Sequence, residues 1–209
     1  MAHFIMVDDA LPATLNYGFV GSTSSTLSTY TSTAVSIGPA SADRYVIAAI
    51  MCNTATTISS VTIGGVSATQ AVATGGTALY IALVPTGTTA VFVVNFSSSV
   101  SGLAVVKYYG TALRSLTPRD MASDASVATV HNLDCDTRAG GIVVVGAIST
   151  AATTTFVGAT QNINFAVGFP SPDSYAAASD LTAASESPRT ISVTWNAIGT
   201  MRSVAASFR

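Results

Sequence analysis

The densest group of chemically versatile side chains in this sequence is His131, Asp134, Cys135 and Asp136. A structural zinc site needs three or four sulfur or imidazole ligands. This stretch supplies one of each, and the other histidine, His3, stands near the N-terminus. Asp134 and Asp136 alternate as calcium-loop oxygens do, but the glycine and closing glutamate of an EF-hand loop are missing. The stretch reads as a polar loop ahead of a buried strand, and no metal site is expected. Hydrolytic chemistry has little more to work with. No G-x-S-x-G elbow occurs. With 26 Ser and 29 Thr among 209 residues, a serine close to a histidine carries no information. A glycosidase needs two carboxylates about 5–9 Å apart. Glu186 is the only glutamate, and with Asp173 and Asp180 it falls in a loop-rich stretch where solvated acids are expected. No glycine loop is placed to cradle a phosphate. No catalytic residue and no cofactor are therefore expected, and the chain reads as non-enzymatic.

Aromatic side chains offer a different kind of site. Tyr108 and Tyr109 are adjacent in an apolar run, and in a strand neighbouring side chains point to opposite faces, so one ring must turn away from the core. Tyr175 and Trp195 carry polar tips as well. These four are the candidate interface or glycan contacts, with core packing as the competing reading. Asn95-Phe96-Ser97 spells a glycosylation sequon, taken as accidental because no signal peptide is visible in Met1–Asp9.

The elements that must position these residues are short strands. Tyr45–Cys52 is almost continuously apolar, as a strand covered on both faces is. Thr57–Ile63 and Val66–Val72 flank Gly64-Gly65, a two-residue hairpin signal. Ala78–Val84 stops at Pro85, Ala90–Phe96 follows, and then Gly102–Tyr109. Residues 110–140 form the main connection, with a strand expected at Val127–His131, and Gly141–Ile148 opens a second apolar series. The second series repeats the first in order: Val46–Ile50 with Ile142–Gly146, Ala68-Thr69-Gln70 with Ala159-Thr160-Gln161, Tyr80 with Tyr175, Val93–Phe96 with Ser192–Trp195, and Gly102 with Gly199. Strands at 8–12-residue spacing with turn signals between them predict an all-β fold: a jelly-roll-like β-sandwich of two quasi-repeated halves, 43–110 and 140–209. Residues 1–42 read as an N-terminal arm docked on another chain, or as edge strands of the same sandwich. The Ser/Thr-rich stretch after Val20 has little apolar surface to offset the backbone ordering cost of about 1–2 kcal/mol per residue.

Composition narrows the partners. Charged residues make up only 9% of the chain, and none lies between Arg44 and Lys107, against roughly 25% in ordinary soluble domains. A surface so neutral suits an ordered assembly, a homo-oligomer with further partners, better than a freely diffusing monomer. Seven Arg and one Lys are scattered along the sequence, so no nucleic-acid partner is expected. The apolar runs are too short and too broken for membrane insertion by a helix. Cys52 and Cys135 do not make a disulfide framework, and Cys52 reads as a small core residue.

The segments ISSVTIGGVSATQ (58–70), ALYIALVPTGTTAVFVVNFS (78–97) and GLAVVKYYG (102–110) resemble small virion structural proteins of tailed phages and phage-like gene transfer agents. So do GGIVVVGAIST (140–150), TFVGATQ (155–161), TISVTWNAIG (190–199) and SVAASFR (203–209). The resemblance covers residues 43–209 and lies in segment style and order. It implies a role as capsid decoration, head-spike or fibre base, or tail-associated part. It also implies virion proteins as partners, assembly in the bacterial cytoplasm and location in the virion. A carbohydrate-binding jelly roll that attaches to a host-surface glycan is the alternative.

Overall fold

A computed structural model describes residues 12–53, 55–150, 153–168 and 172–209. His3 and Leu11 lie outside these residues. Every regular element among the described residues is a strand. The first half holds β1 (Asn16–Thr23), β2 (Leu27–Thr31), β3 (Val35–Ser36), β4 (Tyr45–Cys52), β5 (Ile58–Ile63), β6 (Val66–Ser67), β7 (Thr69–Thr74), β8 (Thr77–Leu83), β9 (Thr89–Ala90), β10 (Phe92–Val100) and β11 (Leu103–Gly110). The second holds β12 (Asp120–Asp124), β13 (Val130–Thr137), β14 (Gly141–Ser149), β15 (Thr154–Val157), β16 (Thr160–Gly168), β17 (Pro172–Thr182), β18 (Glu186–Trp195) and β19 (Met201–Phe208).

The fold is all-β, with two roughly similar halves of antiparallel sheets. Each half has a five-stranded inner sheet, β1-β11-β4-β8-β7 in the first and β12-β19-β14-β17-β16 in the second. Each also has an outer sheet, β2-β10-β5-β6 and β13-β18-β15, and β3 pairs with β9 as a short ribbon. The two inner sheets face each other. Ile47, Ala49, Met51, Leu79 and Val106 from one pack with Val144, Ile148, Ala177, Val204 and Phe208 from the other. On its reverse side each inner sheet covers its own outer sheet. Val46, Ala48 and Ile50 meet Val61, Phe92 and Val94, while Val143, Val145 and Ala147 meet Ile191, Val193 and Trp195. Four layers thus enclose three cores. That is why β4 and β14 are buried at every position and read as unbroken apolar runs: both of their faces lie against a sheet.

β4 and β14 hold the same place in their sheets, as the repeat predicts, but the sequence alignment of the halves slips by one residue. Val46 faces its outer sheet whereas Ile142 faces the other half. Tyr80 likewise faces outward to β5 and Tyr175 faces the other half. A one-residue shift exchanges faces, and a continuously apolar strand carries no alternation from which to detect it. Each half is also longer than its repeat. β1 lies along β11, Asn16 opposite Tyr109, and β2 along β10, so the described part of residues 1–42 forms edge strands. The second half begins at β12, inside the stretch read as a connection. The expected strand at Val127–His131 is β13, beginning three residues later. Val66–Val72 is divided between β6 in the outer sheet and β7 in the inner one. Gly64 and Gly65 turn the β5–β6 hairpin with φ of 59° and 81°, the left-handed values such a turn requires.

Candidate functional site

β13 settles the His131 group by alternation. His131, Leu133 and Cys135 point inward and are buried; Asn132 and Asp134 point out. The potential ligands therefore sit on opposite faces of one strand, and no group of three or more metal-ligating side chains occurs among the described residues. His131 is fully buried, edge-on to Trp195 with ring centroids 4.7 Å apart. Its Nε2 lies 3.0 Å from the Ser126 carbonyl oxygen. A carbonyl only accepts, so Nε2 carries a proton, and in the neutral ring Nδ1 then accepts from the Ser203 hydroxyl at 2.8 Å. Asp124 Oδ1 stands 3.8 Å from Nε2. Serine, histidine and aspartate are thus brought together in a combination that can activate a hydroxyl. Ser203 and His131 both have 0% exposure, so the hydroxyl meets the core of its own half instead of a substrate. Cys135 lies in the same core with its thiol pushed up to about 12 by burial, reinforced by Asp120. It is a neutral packing residue. Neither cysteine is in a disulfide, and the two lie in different cores.

Of the three acids, which lie in β17 and β18, Asp180 and Glu186 meet at one arginine and Asp173 stands apart. Arg189 holds Asp180 at 2.5 Å and Glu186 at 3.5 Å and donates to the Gly158 carbonyl. It acts as a surface clasp between two carboxylates. Asp173 is buried on the other side of the half at 4% exposure. Burial pushes its carboxyl above the usual carboxylate range, opposed by hydrogen bonds from Asn53 and Tyr175 and by the Arg202 charge. Arg202, itself buried, reaches across the inter-half core to the carbonyls of Cys52 and Asn53 at 3.3 and 3.4 Å. Gly102 makes room here, since a Cβ on it would stand 2.6 Å from the Tyr175 hydroxyl. The arrangement is a polar seam between the halves.

Of the four aromatic candidates, three are core residues. Tyr108 and Tyr175 have 0% exposure and Trp195 has 2%, so none presents a ring face to a glycan. Tyr108 donates to Asn162 Oδ1 at 3.0 Å from the first half to the second. Tyr109 is half-buried against Gly38. The neighbour that turns outward is thus Tyr109, and it lies under a loop.

What the surface does present is a ladder of hydroxyls and amides. On the first outer sheet Thr29, Asn95 and Ser60 stand in one row and Thr31, Val93, Thr62 and Ser67 in the next. Thr29 Oγ1 donates to Asn95 Oδ1 at 2.8 Å, and Asn95 Nδ2 donates to Ser60 Oγ at 2.9 Å. β2, β5, β6 and β10 contain no charged residue. The opposite end repeats the device: Ser192 donates to Asn132 at 2.7 Å and Thr190 to Asp134 at 2.6 Å. Such cross-strand pairs each stabilise a sheet by roughly 0.2–1 kcal/mol. These faces are the candidate interface. Sequence reasoning registered their composition but not their places, since alternation is masked where Ser and Thr fall on both faces of a strand.

No family model matches the chain, and no curated protein matches it. A solved structure described as an anti-sigma factor domain-containing protein aligns over 83% of this chain and 77% of its own, at 5% identity and a TM-score of 0.25. A likeness at that level carries no argument about fold or function.

Proposed function

We propose that this chain is a non-enzymatic structural component of a phage or phage-like particle, placed on the capsid surface as decoration or as the base of a spike. The observation that carries the reading is the charge-free, hydrogen-bonded outer face of β2, β5, β6 and β10 at one end of a four-layer block. Such a face desolvates no ion on being covered, and it offers a row of hydroxyls and amides to a neighbouring copy or a shell protein. The finer fold assignment belongs with this reading. A jelly roll wraps eight strands into sheets ordered 1-8-3-6 and 2-7-4-5. With β1, β2, β4, β5, β6, β8, β10 and β11 taken as those eight, the first half has the same order. The second half follows it with the fifth strand missing. Jelly rolls recur in capsid and lectin domains alike, so topology alone does not choose between them. The lectin alternative, a glycan-binding module, loses the rings of Tyr108, Tyr175 and Trp195 to the core.

The test is to place charge on the face. Ser60→Lys with Thr62→Lys should keep a cooperative melt, losing the Asn95–Ser60 hydrogen bond at about 0.5–1.5 kcal/mol, and should abolish self-association and incorporation into particles. A native chain that stays monomeric at high concentration by light scattering, and is absent from purified particles, overturns the reading.

A further inference from the structure

Cations are scarce in this chain, yet four of its seven arginines line one cleft. Arg114 and Arg119 belong to the segment that links the halves, Arg138 to the turn between β13 and β14, and Arg209 follows β19. The pairing of β14 with β19, Ile142 opposite Phe208, sets the Arg138 turn beside Arg209. Two backbone hydrogen bonds, Arg114 N–H to the Arg209 carbonyl at 3.1 Å and Arg119 N–H to the Ser207 carbonyl at 2.8 Å, hold the linking segment alongside. The cleft has a volume of about 400 Å³, and Ser115 and Thr117 complete its described lining. Guanidinium forks match the paired oxygens of carboxylates and phosphates, so convergence of this kind favours an anionic occupant.

Two observations narrow its chemistry. First, the cleft shares Thr117 and Arg119 with a second cleft of about 270 Å³ that sets Leu116, Pro118 and Met121 beside Gln70 and Asp120, the latter already accepting from the Met121 and Asp136 amides. An inorganic anion has no use for an apolar extension, whereas a peptide with acidic and apolar residues does. Second, the Ala13 amide donates to the Gly140 carbonyl at 2.9 Å, the same oxygen that accepts Arg209 Nη1 at 2.6 Å. The chain upstream of Ala13 reads Val7-Asp8-Asp9-Ala10-Leu11, which contains the only two adjacent acids in the sequence. Asp9 precedes Ala13 by four residues, a reach of about 13–14 Å when extended.

We propose that the four-arginine cleft binds an acidic peptide segment through adjacent aspartate carboxylates, and that the segment is Asp8–Asp9 of this chain, from the same molecule or from a neighbouring copy. The proposal stands on the cleft and is independent of the particle reading.

The experiment uses the full chain carrying Asp8→Asn and Asp9→Asn, which empties the site. A labelled synthetic peptide of residues 1–12 is then titrated and followed by anisotropy. The native peptide should bind, and the same peptide carrying Asp8→Asn and Asp9→Asn should bind about tenfold or more weakly, the loss expected for charge-assisted pairs. Arg114→Gln with Arg138→Gln in the same background should lose the native peptide. If that pair fails to fold, Arg119→Gln on the exposed rim should weaken binding by a comparable factor. Light scattering separates the sources: a drop in mass on Asp8→Asn with Asp9→Asn assigns the segment to a neighbouring copy, and an unchanged mass assigns it to the same molecule. Equal binding of the two peptides overturns the proposal. So does binding of inorganic phosphate or a short single-stranded DNA without binding of the peptide, which would reassign the cleft to a phosphate ligand.

Discussion

Substituting Val144 by aspartate tests whether the two halves are one folded body. Val144 has 0% exposure, lies between Ser179 and Ala206 on its own sheet and faces the inner sheet of the other half. Losing the buried valine costs roughly 1.5–3 kcal/mol. Enclosing a carboxyl with no partner adds roughly 2–7 kcal/mol, depending on how far it can reach water. The sum, about 3.5–10 kcal/mol, is comparable with the whole stability of an ordinary domain, about 5–15 kcal/mol. Calorimetry should therefore show Val144→Asp unfolded or melting far below the native chain, with both halves lost in one transition. The pH dependence has a defined sign. Burial raises the carboxyl above its unfolded value near 3.9. The penalty is full above the folded pKa and shrinks as pH falls through it, so the deficit should be smaller at pH 4 than at pH 7. Val157→Asp, at a position 70% exposed, is the control and should change stability by no more than about 0.5 kcal/mol. Unchanged melting of Val144→Asp would refute the central-strand placement. A surviving transition of the first half at the native temperature would refute the single body.

Other tests address single contacts. Val46→Asp, facing the core of the first half alone, should be as damaging as Val144→Asp, by the same calorimetry. Asp173→Asn should flatten the acid limb of the stability curve. Burial raises the native carboxyl, so the native chain gains stability as pH falls through that pKa toward the ordinary carboxylate value of 3.8, and the variant lacks this gain in melts at pH 4 to 7. Arg44 has 1% exposure and donates to the carbonyls of Val84, Gly38, Pro39 and Thr86. Arg44→Met strands those acceptors and should cost about 3 kcal/mol or more by urea titration. A Cβ on Gly146 would meet Ala49, Met51 and Val204 at 3.7–3.8 Å, ordinary contact. Gly146→Ala should then be neutral or mildly stabilising in thermal melts, while Gly146→Phe should wedge the halves apart and lower the melting temperature.

Much of this architecture can be read from residue order. The apolar runs of β4 and β14, the Gly64-Gly65 turn and the alternation of Val204, Ala206 and Phe208 against Met201 and Ala205 all have local causes that survive folding. The correspondence of β17 with β8 argues for a strand against the helix propensity of its alanines, and the sheet agrees. What stays hidden depends on layering. That Tyr108 and Tyr175 are sealed follows from a second half stacked on the first, and nothing in the local pattern states which face a doubly apolar strand turns to which layer. β12 escapes notice because Asp120–Asp124 is an edge strand with a polar sequence. The arginine cleft escapes for a related reason. Its members are scattered along the chain and meet only once β14 lies beside β19.

The pairing of first strand with last in each half bears on how the chain leaves the ribosome. Asn16 of β1 must find Tyr109 of β11, 93 residues on, and Asp120 must find Ser207, 87 residues on. At about 5–20 residues per second of synthesis, β1 waits between about 5 and 20 s for its partner. The β4–β8 pair can form meanwhile, with both apolar faces bare. Non-local closure of this kind is slow even for a complete chain. The growing chain therefore carries its most adhesive surface longest before closure. Yield of soluble protein should thus be governed by synthesis rate and temperature more than by the stability of the finished fold.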